Sequence, residues 1–173
     1  LIPNALGQHL DFIEGKGPYL EPIKDFSEYK NLKEINKIHD ILNPVYDAVS
    51  NIKSKLEKNI TFIGFAGSPW TVSTYMIEGQ GSKDHLKTKT FMFQQPEIFD
   101  KLILKIEKAT VEYLSKQIIA GVDAIKIFDS WAGSLPGHYL EKYSLNPMRN
   151  IAKELKKRFP KIPMIVFPRG VGP

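Results

Sequence analysis

Residues 64–79 read Gly64-Phe65-Ala66-Gly67-Ser68-Pro69-Trp70-Thr71-Val72-Ser73-Thr74-Tyr75-Met76-Ile77-Glu78-Gly79, and this stretch decides the fold. An apolar run closes at Ala66, a Gly-Ser-Pro break follows, and a helical pattern begins. Strand, short exposed loop and helix start, in that order, is where an α/β protein presents backbone and side chains to a ligand.

Working outward, Ile60-Thr61-Phe62-Ile63-Gly64-Phe65 has the length and β-branching of a buried strand. Upstream, Leu1-Ile2-Pro3 reads as the tail of a strand, and residues 9–20 as a short hairpin around Gly15-Lys16-Gly17-Pro18. Asp25-Phe26-Ser27 opens a helical pattern to about Lys37; a second runs from His39 to about Leu56, with Pro44 able to shift its start. Downstream, Ser82 or Asp84 can cap a helix to about Phe93. Pro96 then opens a helix that Gly121 stops. Asp123–Asp129 is a second buried strand, Asn146 caps a helix with Pro147 at its first position, and Ile162–Phe167 is a further strand.

Strands alternating with long helices predict parallel pairing through right-handed crossovers. A doubly wound sheet and a (β/α)8 barrel both satisfy the pattern. No glycine fingerprint for a dinucleotide follows either complete strand, which favours the barrel. A full barrel takes about 250 residues. The 173 residues are therefore expected to be one domain, 1–173, an α/β portion of a (β/α)8 TIM barrel truncated at both ends.

Composition narrows the class. Apolar residues make up 42% of the chain, enough for a real core, and no run nears the about 18 unbroken apolar residues of a membrane span. There is no cysteine, hence no disulfide framework, thiolate nucleophile or Cys-ligated metal within these residues. A cytoplasmic protein without membrane attachment is expected. The formal charge of +5 comes almost wholly from lysines at helical spacing among glutamates, such as Lys101, Lys105, Glu107 and Lys108. That is the pattern of a solvated helix face. Arginine interleaved with exposed aromatics is missing, so a nucleic-acid partner is not expected, while a polyanionic small molecule fits.

By the period of two, Ala124, Lys126, Phe128 and Ser130 share one strand face, and Ile125, Ile127 and Asp129 the other. Lys126 and Ser130 are unusual on an inward barrel face, and Ser130 lies at the carboxyl end, where barrel sites are built. Equally, Asp129-Ser130-Trp131-Ala132-Gly133 reads as an ordinary strand exit with Asp129 capping. Tyr75, early in the helix after the first strand, is either a site residue or a tyrosine with a structural partner; Phe65 and Trp70 read as core. His9, His39, His85 and His138 show no metal-ligand spacing, and no nucleophile has a base beside it.

The stretch Gly64–Gly79 closely resembles the second signature of the uroporphyrinogen decarboxylase family, with Tyr75 and Glu78-Gly79 in register. A second block, Gln117–Gly133, is similar to that family's strand running into a Phe-acid-Ser-aromatic-Ala-Gly turn, here Phe128-Asp129-Ser130-Trp131-Ala132-Gly133. Pro3–Gly7 and Gly15-Lys16-Gly17-Pro18 also look like the family's early loop and hairpin, so the likeness spans essentially the whole chain. It implies a carboxy-lyase of haem biosynthesis that removes the four acetate carboxylates of uroporphyrinogen III, without metal or organic cofactor, as a homodimer. It further implies that Tyr75 and Ser130 contact the tetrapyrrole and that Phe65 and Phe128 give the cleft apolar wall.

Three family features are not matched. The Arg-rich loop and the aspartate that gathers pyrrole N–H groups are expected before Leu1, and a substrate-binding histidine after Pro173. No catalytic residue is thus expected within these residues. Lys126 stands where many relatives have glutamine; its ammonium could meet a substrate carboxylate or pair with Asp123. Two rival readings are a zinc-dependent corrinoid methyltransferase of the same barrel superfamily and a non-catalytic structural fragment.

Overall fold

The computed structural model of the chain describes residues 1–15 and 17–172. Instead of a strand tail, the chain opens with helix α1 (Ile2–Ala5), Pro3 in its first turn. Ile2, Ala5 and Leu6 come to one side of this turn and are buried there. A strand would have thrown them to opposite sides, which is why burial selects the helix. The hairpin forms where the sequence puts it: β1 (Leu10–Ile13) pairs antiparallel with β2 (Gly17–Leu20), Leu10 opposite Leu20. Lys16 of the expected turn lies outside the described residues.

Helix α2 (Phe26–Lys30) is capped by the Asp25 carboxylate, which accepts from Ser27 N at 2.7 Å and Glu28 N at 3.2 Å. It ends well before Lys37. The Lys33 N–H is taken by Leu6 C=O at 2.8 Å, so docking against α1 overrides the local helical preference. A single 3₁₀ turn, Ile35–Lys37, leads into α3 (His39–Lys55), which starts at His39 and carries Pro44 inside it.

Next comes β3 (Ile63–Gly67), starting three residues later than its apolar run suggests. Ile60 belongs to a turn, its N–H on Glu57 C=O, while Phe62 N–H is held by the Asp123 carboxylate at 2.8 Å. Then follow α4 (Pro69–Glu78), α5 (Leu86–Gln94), the long α6 (Pro96–Ile119) and β4 (Ala124–Asp129). The last part runs from α7 (Gly137–Leu140) through a wide π turn (Glu141–Leu145) directly into α8 (Asn146–Arg158), and ends with β5 (Met164–Pro168). Asn146 therefore does not cap a helix. Its backbone is already helical, because the π turn feeds α8 without a break, and its side-chain oxygen accepts from Arg149 instead.

Strands β3, β4 and β5 form one parallel sheet in that order, with Phe65 beside Lys126 and Lys126 beside Ile165. Helices cover one face. Ile125, Ile127 and Asp129 point into that layer with no exposure, packed in a core that includes Phe99, Leu102, Ile106 and Leu114 of α6 and Met148, Ile151 and Leu155 of α8. The opposite face is open: Phe65 is 58% exposed, Phe167 49% and Ile165 44%. The free edge of β3 is clasped by Gln117 of α6, whose amide accepts from Phe65 N–H at 3.1 Å and donates to Phe65 C=O at 3.2 Å. A side chain thus does what a neighbouring strand would otherwise do for that residue.

Candidate functional site

The carboxyl ends of β3 and β4 are tied together before any side chain is considered: Ser68 N–H donates to Phe128 C=O at 2.8 Å. Ser68 then caps α4, its hydroxyl accepting from Thr71 N–H at 3.2 Å. Beneath this junction Asp129, fully buried, accepts from the hydroxyls of Thr71 and Ser144, each at 2.6 Å, and from Trp131 N–H at 3.3 Å. One carboxylate thereby fixes α4, the loop after β4 and the π turn relative to each other. Reading Asp129 only as a local cap misses two of these three bonds, because Thr71 and Ser144 lie far away in sequence.

At the far end of α4, the Glu78-Gly79 pair is structural in detail. Glu78, 8% exposed, accepts from both N–H and hydroxyl of Thr88 at 2.9 Å, satisfying an orphan donor in the first turn of α5. Gly79 takes φ +83°, and its carbonyl accepts from Leu20 N–H at 2.7 Å. A Cβ there would lie 2.8 Å from Leu20 O and 2.9 Å from Pro22 Cγ, so only glycine lets the hairpin dock this closely. Gln8 adds to the same joint by donating to Glu21 C=O at 2.6 Å and Met76 C=O at 2.8 Å.

Docking of the hairpin and α1 against α4 leaves a groove of about 410 Å³ at the strand ends. Leu10 and Leu20 of the hairpin, Pro3 of α1, Phe128 of β4 and Tyr75 of α4 contribute to its wall, which is largely apolar. Tyr75 is half-buried, and its hydroxyl makes no hydrogen bond among the described residues. The neighbouring hydroxyls of Thr71, Ser73 and Thr74 are all engaged. Ser130 follows β4 at the same end of the sheet, two residues beyond Phe128, half-buried and likewise without a side-chain partner among the described residues. It does not line the groove that Tyr75 lines. The structure thus brings both to the carboxyl end of adjacent parallel strands without placing them in one cavity wall.

The aromatics divide. Trp70 is core, with no exposure, and its indole N–H donates to Trp131 C=O at 3.0 Å. Phe65 is not core: it stands on the open sheet face, its ring 6.0 Å from that of Phe128. His85, between the rings of Trp70 and Trp131, is 2% exposed and sits at φ 54°. Asp123 pairs with Lys53 at 2.6 Å rather than with Lys126, whose ammonium lies 5.2 Å from the Phe167 ring centroid. That ion pair, with the Phe62 N–H, holds the Asp123 carboxyl below the usual aspartate range.

Among the described residues no three of His, Cys, Asp or Glu gather as a metal site, and no helix is long and apolar enough to cross a membrane. A surface depression of about 870 Å³ lies between α6 and α8 among Glu107, Lys108, Lys153 and Arg158. It is away from the strand ends.

Against known proteins, the family model described as Uroporphyrinogen decarboxylase matches residues 1–173. Curated relatives of that name include those of Jannaschia sp. (strain CCS1), 48% identical over 172 residues, and Helicobacter pylori (strain G27), 47% identical over 173 residues. Both alignments cover 99% of this chain and 50% of the relative, so the chain spans about half the length of the curated relatives it matches. Among solved structures, a methyltransferase from Methanosarcina mazei superposes with a TM-score of 0.76 at 13% identity, covering 98% of this chain and 48% of that one. At that identity the likeness is one of fold, and it makes the three parallel strands with their helices part of a TIM barrel.

Proposed function

The chain belongs to the uroporphyrinogen decarboxylase family, and we propose that it is the middle part of the barrel of a carboxy-lyase converting uroporphyrinogen III to coproporphyrinogen III. The observation that carries this reading is the 48% identity over nearly the whole chain. The placement of the Gly64–Gly79 signature at the carboxyl end of β3, where barrel enzymes build their sites, supports it.

In this reading each of the four acetate arms loses its carboxylate as carbon dioxide. A pyrrole carbon is protonated first, and the ring accepts the electron pair of the breaking C–C bond. A proton added to the remaining exocyclic CH₂ makes the methyl group, and the ring carbon gives up the first proton to restore the pyrrole, so that one proton is consumed for each carbon dioxide released. No metal or organic cofactor is required, because the protonated pyrrole is itself the electron sink. The residues of this chain bind and orient. The unengaged Tyr75 hydroxyl donates to a substrate carboxylate from the groove wall, and Ser130 donates to a second arm at the β4 end. Phe128 and Phe65 pack against the macrocycle. Positioned donors of this kind act by holding charge where the reaction needs it. Cytoplasmic residence and a homodimer belong to the same reading.

The test is steady-state turnover of uroporphyrinogen III by the complete enzyme. Tyr75→Phe and Ser130→Ala are each expected to lower kcat/KM about tenfold or more, the loss of one hydrogen bond to a charged group. Unchanged turnover and affinity in both variants would remove these roles.

A further inference from the structure

Among the described residues, Lys126 is the one charged residue on an otherwise apolar sheet face formed by Ile63, Phe65, Phe128, Ile165 and Phe167. Its backbone stands beside Ile165, yet its ammonium lies against the ring of Phe167, two residues further along β5. Two residues of strand rise are about 6.6 Å. The side chain therefore runs up the sheet toward the carboxyl-end mouth, not down into the barrel floor.

No carboxylate pairs with it among the described residues. The two nearest along its own strand are committed elsewhere. Asp123 is held by Lys53 and Phe62 N–H, and Asp129 faces the helices, bonded to Thr71 and Ser144. A cation among phenyl rings gains something from the ring faces but still lacks a counter-charge once water is displaced from the face.

We propose that Lys126 is an anion-recognition residue, taking one carboxylate arm of the tetrapyrrole at the mouth between β4 and β5. This rests on the decarboxylase reading above and adds to it a contact beyond Tyr75 and Ser130. Lys126 sets how firmly a highly carboxylated macrocycle is held. Its effect is largest for substrates carrying the full set of arms.

The experiment uses the complete enzyme and two readouts. Uroporphyrin, the oxidised and unreactive octacarboxylate, is titrated by fluorescence at low and moderate salt, and uroporphyrinogen III turnover is measured in parallel. Lys126→Gln and Lys126→Met are expected to weaken uroporphyrin binding about tenfold at low salt, with a shallower salt dependence. KM should rise in parallel with kcat little changed, and Lys126→Arg should restore affinity to within about threefold of wild type. Wild-type affinity in both neutral variants, with wild-type enzyme turning over normally, overturns the proposal while leaving the decarboxylase reading intact. A lowered melting temperature with unchanged affinity also overturns it, making Lys126 a partner of the fold. Wild-type enzyme that neither binds uroporphyrin nor turns over uroporphyrinogen removes the parent reading, and this proposal with it.

Discussion

His85 illustrates what a single buried residue contributes between Trp70 and Trp131. It is 2% exposed, wedged between two indoles, and its Nδ1 has no hydrogen-bond partner among the described residues. Burial is the first cause that pushes its pKa below the ordinary 6.5. Lys89 adds to the shift, and the carboxylates of Glu78, Asp84 and Asp129 oppose it. The sign follows directly: the unfolded chain takes up the proton near pH 6.5, the folded chain only at lower pH. Between those points the unfolded state binds more protons, so stability is full above pH 6.5 and falls as pH drops through that window. The slope from this group is at most about 1.4 kcal/mol per pH unit. Melting temperatures of the protein and of its His85→Phe variant, measured from pH 8 to pH 5, should show a steeper acid decline in the wild type. Parallel curves would contradict this. Tyr75 and Ser130, by contrast, are legible as site residues only through the family likeness. Their chemistry alone suits a structural hydroxyl as well as a substrate contact.

Between elements, Asp129 is a buried joint that ties β4 to α4 and to the π turn through Thr71 and Ser144. Removing that carboxylate strands two buried hydroxyls and an N–H. Asp129→Ala is therefore expected to destabilise the protein by about 3 kcal/mol, and Asp129→Asn, which keeps one acceptor, by clearly less. Urea unfolding of the two variants measures the difference; equal midpoints would remove the joint from the account. Elements of this kind show how far the sequence could be read. The parallel strands, the hairpin and α6 were legible because β-branched runs and three-to-four spacing are local signals. Leu1-Ile2-Pro3 was misread because two apolar residues before a proline look extended, and only burial of Ile2 and Ala5 on one side reveals the turn of helix. Asn146-Pro147 carries the usual cap signature, yet the π turn preceding it makes capping unnecessary. Asp129, Glu78 and Gln117 were opaque as joints, since a partner ten to fifty-eight residues away leaves no mark on local spacing.

For the molecule as a whole, one face of the β3-β4-β5 sheet carries Phe65, Ile165 and Phe167 at roughly half exposure, and the outer edge of β5 pairs with no strand among the described residues. Contiguous apolar surface beside an open strand edge drives association. Produced alone, the 173 residues are expected to self-associate, visible as a mass above the monomer in light scattering; a monodisperse monomer would contradict this. The turns after β4 and β5 meet differently. Gly133 N–H donates to Arg169 C=O at 3.0 Å, and a Cβ on Gly133 would fall 2.6 Å from Gly170 O. Bare main chain rests on bare main chain there, leaving no slack between the two lips. The loop that carries Ser130 and the turn that carries Arg169 are thus stitched to each other through backbone atoms, without a side chain in between.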